Sequence, residues 1–106
     1  MTKVFFYKEK GFYTGFTFDG HAMYNPEGPD ILCSAASMAS QMTFIGLSNV
    51  AKVRPTYIAD DGYLNVSFES ESPTAQALVE TLKLAIDDLC NQYEGFISLS
   101  VIERGE

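Results

Sequence analysis

Two aromatic runs open the chain, KVFFY at residues 3–7 and FYTGFTF at 12–18, with the polar KEKG between them, and this pattern predicts a β-hairpin. In the second run a two-residue period puts Phe12, Thr14, Phe16 and Phe18 on one face and Tyr13, Gly15 and Thr17 on the other. After the Pro/Gly-containing segment AMYNPEGP the spacing becomes helical. Ile31, Leu32, Ala35, Met38, Ala39, Met42 and Ile45 form an apolar stripe that predicts a helix from Asp30 to Leu47. Asp30 is suited to cap its start, and Gly46 with Ser48-Asn49 to stop it.

A second hairpin is expected around Asp61-Gly62, a dipeptide that accepts the positive φ angles of a tight turn. Ser72-Pro73 then supplies a cap and a first-turn proline. Leu78, Val79, Leu82, Ala85, Ile86, Leu89 and Tyr93 recur at helical steps up to Gly95. FISLSVI ends the pattern as a last strand. The expected fold is α+β, a single domain over residues 1–106 in ββαββαβ order, with a mainly antiparallel sheet and two helices packed on one face.

Composition narrows the chemistry. A 46% hydrophobic content over 106 residues supports one globular core. The apolar residues before Lys8 are too few for a signal sequence or a membrane span, so a cytoplasmic protein without a membrane partner is expected, its Cys33 and Cys90 kept as reduced thiols. Two cysteines and one histidine, without CxxC or HxxxH spacing, give no metal site. A net charge of −7 argues against nucleic acid. No phosphate-binding glycine loop is present, and the carboxylate pairs Asp60-Asp61 and Asp87-Asp88 belong to a turn and a helix surface.

The remaining chemistry lies in DGHAMYNPEGPDILCSAAS. Cys33 falls in the first turn of the expected helix, where the dipole favours a thiolate, and His21 lies just past a strand end with eleven residues between them. His21 is therefore a candidate base for a nucleophilic Cys33, while by position alone both also suit a small buried thiol and a turn histidine. Ser37, one turn on, either lines the same site or bonds its own backbone. Asp30 either caps the helix or also orients His21, and Gly20 suits a backbone turn. Met23, Tyr24, Asn25, Pro26, Glu27 and Gly28 make a candidate lid between His21 and Cys33. Cys90 is expected to be structural, near the C-terminal end of its helix, where the dipole opposes a thiolate.

Gly20-His21-Ala22 followed by Gly28-Pro29-Asp30-Ile31-Leu32-Cys33, small residues and Ser37 resembles the GHA…GxDI[VL]C pattern of the bacterial ribosomal-processing cysteine protease family Prp. The resemblance implies a cysteine endopeptidase without a cofactor. Its substrate would be a large-subunit ribosomal protein precursor, whose N-terminal extension is removed after a Phe-Phe-like hydrophobic pair. It implies His21 and Cys33 as the catalytic dyad, with Gly20, Asp30 and Ser37 at positions the family keeps around its site, a mobile guarding loop and a homodimer. Leu32 and Ser34 depart from the commoner Val and Ala, and Pro26 and Pro29 stiffen the loop. Competing expectations are a paralogous protease with another substrate, for example a phage protein, a non-catalytic dimeric peptide-binding module, and a thiol redox protein.

Overall fold

The computed structural model describes residues 1–20 and 31–105. The strands are β1 (Thr2–Glu9), β2 (Phe12–Asp19), β3 (Thr56–Asp60), β4 (Tyr63–Ser67) and β5 (Ile97–Arg104), and the helices are α1 (Ile31–Ile45) and α2 (Pro73–Gln92). They follow the ββαββαβ order, in one five-stranded sheet ordered β3-β4-β2-β1-β5. Three pairings are antiparallel and the fourth, β1 with β5, is parallel. The core joins Val4, Phe6, Phe16 and Phe18 of the sheet to Leu32 and Ala36 of α1 and to Val79, Leu82 and Ile86 of α2.

The alternation expected for β2 breaks at a bulge. Tyr7 pairs with Gly15 and Lys8 with Tyr13, which leaves Thr14 as an extra residue. The extra residue reverses the facing of the strand's first half. Tyr13 is buried against Phe6, at 6.1 Å between ring centroids, and Phe12 is exposed. Gln76 of α2 covers the irregularity. Its Oε1 accepts from the Tyr13 N–H at 2.7 Å and its Nε2 donates to the Tyr13 carbonyl at 3.0 Å and to the Ser70 carbonyl at 2.9 Å. The Tyr13 hydroxyl donates to Glu80 on the same helix.

On the helix-free face the polar groups satisfy one another. Tyr7 Oη and Asn65 Nδ2 both donate to Thr17 Oγ1, at 3.0 and 2.7 Å, and the Arg104 guanidinium lies 4.1 Å from the Tyr7 ring centre.

Helix α1 is the element whose burial departs most from the hydrophobic pattern. The face turned inward consists of Leu32, Ala36, Ser40 and Thr43, continued by Leu47 in a wider π turn (Gly46–Val50) that follows the helix. The two hydroxyls are satisfied by α1 itself, Ser40 Oγ donating to the Ser37 carbonyl and Thr43 Oγ1 to the Ala39 carbonyl, both at 2.9 Å. Small side chains let the helix approach the sheet closely, so size rather than hydropathy selects this face. Of the expected apolar stripe, Ile31, Ala35, Met38, Met42 and Ile45 are exposed, Ile31 by 66% and Met42 by 64%. By length and hydropathy Ile31–Val50 is also apolar enough to cross a bilayer, yet its small-residue face is packed inside this fold.

Helix α2 starts as its sequence predicts. Ser72 caps it by accepting from the Ala75 N–H, Pro73 is its first residue, and Val79, Leu82 and Ile86 are buried. Ala85, from the same expected stripe, is exposed.

Burial and the Glu80 hydrogen bond push the Tyr13 phenol well above its ordinary value near 10. Because the folded-state value is the higher one, the phenol's contribution is complete below about pH 10 and is lost as pH rises toward the folded-state value. Thermal melts across pH 8 to 11 are expected to show a steeper alkaline decline for the wild type than for Tyr13→Phe.

Candidate functional site

Cys33 is the third residue of α1, half-buried against the edge of the core. It lines a cleft of about 260 Å³ at the end of the sheet where β1 begins and β2 ends. Phe18 and Leu64 supply apolar wall, Ala36 and Ser40 the small-residue side, and Gly20 and Gly62 the rim near the β3–β4 turn. The position of Cys33 puts its thiol at the positive end of the α1 dipole, which favours negative charge there.

Gly20 marks the point where the chain leaves the sheet. Its N–H donates to the Gly62 carbonyl at 2.7 Å, and its own carbonyl accepts from Thr2 Oγ1 at 3.1 Å. Its φ is +95°, and a Cβ at this position would sit 2.5 Å from the Met1 carbonyl oxygen. Only glycine fits both constraints. The residue before His21 is thus pinned between the start of β1 and the β3–β4 turn, in the lining of the cleft that holds Cys33.

Ser37 also lines this cleft, one helical turn beyond Cys33, and its hydroxyl accepts from Gln41 Nε2 at 3.2 Å. His21, Asp30 and the candidate lid residues Met23, Tyr24, Asn25, Pro26, Glu27 and Gly28 lie outside the described residues. The structure therefore brings Gly20, Cys33 and Ser37 together. It adds Thr2, Tyr57 and Leu64, which no sequence motif singles out, because only the strand order β3-β4-β2-β1 brings their ends beside α1.

Cys90, half-buried like Cys33, differs from it in its place on the helix. It lies near the C-terminal end of α2, where the dipole opposes a thiolate, and burial, with a smaller contribution from the Asp87 carboxylate, pushes its thiol up. The two cysteines share no disulfide. Among the described residues, no group of three His, Cys, Asp or Glu side chains is placed to hold a metal. A larger concavity of about 590 Å³ on the helix-free face is lined by Tyr7, Asn65, Arg54 and Arg104 and carries no thiol.

Solved structures share this fold. Prp from S. aureus, an essential ribosomal processing protease crystallised with a covalently linked product peptide, aligns with a TM-score of 0.86 at 22% identity, covering 98% of this chain and 100% of its own. The same protease with a substrate peptide aligns at 0.84 and 23%, covering 95% and 99%. SMU.848 from Streptococcus mutans aligns at 0.87 and 22%, covering 98% and 99%. None of the curated proteins compared with the chain matches it. The family model described as cysteine protease Prp matches residues 1–98. That match gives the class, a cysteine protease. Within the class, the chain belongs to the Prp family.

Alkylation separates the two thiols. With iodoacetamide at neutral pH, peptide mapping is expected to find Cys33 modified at least about tenfold faster than Cys90, because burial and the helix C-terminus both oppose the Cys90 thiolate.

Proposed function

We propose that this protease removes the N-terminal extension of a bacterial large-subunit ribosomal protein, cutting after a Phe-Phe-like hydrophobic pair, with Cys33 as nucleophile and His21 as base. One observation carries the reading. Cys33 stands at a helix start beside an apolar cleft whose rim includes Gly20, the residue that directly precedes the only histidine of a Prp-family chain. The S. aureus Prp complexes, one with a substrate peptide and one with a covalently linked product peptide, support a peptide substrate and a covalent intermediate.

In this mechanism His21 takes the Cys33 proton and the thiolate attacks the scissile carbonyl carbon, forming a C–S bond. The positive end of α1 stabilises the oxyanion. The C–N bond then breaks as the imidazolium protonates the leaving amine. A water molecule, deprotonated by His21, hydrolyses the thioester, releasing the new carboxyl end and restoring the thiol. A cleft of about 260 Å³ with Phe18 and Leu64 in its wall suits an aromatic side chain next to the scissile bond. The net charge of −7 suits a substrate whose mature part is basic, and the reaction would take place in the cytoplasm.

The working form we propose is a homodimer. Ile31, Ala35, Met38, Met42 and Ile45 follow the alternating four- and three-residue steps of a coiled-coil seam and lie exposed along α1, a stripe that a second copy of the same helix would bury. Light scattering behind size exclusion is expected to give twice the chain mass. Met38→Glu with Met42→Glu should halve it, and a wild-type monomer at micromolar concentration would remove the dimer from this reading.

A peptide joining the hydrophobic extension to a mature ribosomal-protein start, followed by mass spectrometry, tests the activity. Cleavage after the hydrophobic pair is expected. Cys33→Ala and His21→Ala should each lower turnover by about a thousandfold or more, and Cys90→Ala should leave it nearly unchanged. An intact peptide across neutral pH would overturn the assignment of substrate.

A further inference from the structure

Along β1 the buried positions alternate, with Thr2, Val4 and Phe6 turned toward the helices and Lys3 exposed on the other side. Thr2 is the odd member of that row. It is only 4% exposed, at a place where valine, with the same branched shape, would pack as well. Burying a hydroxyl is costly unless it is hydrogen-bonded, so the partner it finds shows what the position is for. Among the described residues that partner is a single atom, the Gly20 carbonyl oxygen, which accepts from Thr2 Oγ1 at 3.1 Å.

The strand ladder cannot make this contact. β1 and β2 pair from Glu9 and Phe12 to Lys3 and Asp19, and the pairing stops there. The Thr2 N–H is already given to the Phe96 carbonyl at 3.0 Å, on the side of β5. Gly20, one residue past the end of β2, therefore receives a side-chain bond from β1 where a backbone bond is missing, while its own N–H reaches Gly62 on the other flank. The Gly20 carbonyl belongs to the peptide unit that joins Gly20 to His21, and that unit is planar. Holding the oxygen fixes the plane, and with it the direction in which the chain sets out toward His21.

We infer that Thr2 is a positioning residue for the base, its hydroxyl aiming the Gly20–His21 peptide unit so that His21 serves Cys33. The inference rests on the reading of His21 as that base. Thr2, Gly20 and Cys33 line one cleft, so the anchor lies beside the thiol and one peptide unit from the histidine. A base has to come within ~3 Å of the proton it takes, and a displacement of ~1 Å can lower turnover by about a hundredfold. A single hydrogen bond at the root of His21 therefore has leverage on the rate, although Thr2 acts only through Gly20.

Thr2→Val keeps the shape and removes the donor. Its kcat is expected to fall about tenfold with KM changed less than about twofold, and Thr2→Ser, which keeps the hydroxyl, to recover most of the loss. A double-mutant cycle separates positioning from damage to the fold. The rate of Cys33 alkylation by iodoacetamide at neutral pH is measured in the wild type, Thr2→Val, His21→Ala and the double variant. His21→Ala is expected to slow it at least about tenfold. Thr2→Val should slow it at least about threefold when His21 is present and leave it unchanged when His21 is alanine. Equal slowing in both backgrounds, full activity of Thr2→Val, or no recovery in Thr2→Ser overturns the role of Thr2 and leaves the protease reading standing. An alkylation rate that does not respond to His21→Ala overturns His21 as the base of Cys33, and the role of Thr2 with it.

Discussion

Gln76 holds α2 to the sheet where β2 cannot complete its own ladder. Beyond Gly15, β4 has stopped pairing with β2, and the Phe68 N–H makes a last bond to the Thr14 carbonyl at 2.9 Å. The backbone of Tyr13 would then be left facing a gap. The Gln76 amide, with the same donor and acceptor as a peptide group, fills it and ties in Ser70 as well. Leaving a buried N–H and C=O unpaired costs about 1 to 3 kcal/mol each, a large share of the stability of a domain this size. The bulge is tolerable because of that contact, and the bulge turns Tyr13 into the aromatic core beneath α2.

The other helix is held by shape. Ala36, Ser40 and Thr43 let α1 lie close to the sheet, and Gly46 lies against Leu78 of α2 so closely that a Cβ there would meet a Leu78 methyl at 3.0 Å. Close packing on these sides leaves the side with Cys33 and Phe44 along β3, and the apolar stripe outward. One helix therefore presents a packed face, a cleft wall and a candidate dimer seam.

The order of elements was legible because the turns and caps are local. The KEKG turn, Asp61-Gly62 and Ser72-Pro73 act within a few residues of themselves. The inward face of α1 was not, because hydropathy ranks Met38 and Met42 above Ser40 and Thr43, and nothing local reveals that two hydroxyls will bond to backbone carbonyls and be buried. The bulge in β2 was hidden for a related reason, since it depends on Gln76, sixty-three residues from Tyr13. The Cys33 region was marked by the GHA…GxDI[VL]C pattern, whereas Thr2, Tyr57 and Leu64 join it only through the strand order.

The parallel pairing of β1 with β5 fixes where each end of the described fold lies. Thr2, at the start of β1, lines the Cys33 cleft, and Arg104 pairs with Glu9 at the opposite end of the sheet. Whatever is fused ahead of Met1 begins its path at the cleft, tethered at high local concentration to a cysteine protease. A purification tag belongs at the other end, and an N-terminal one would be both an obstruction and a built-in competitor.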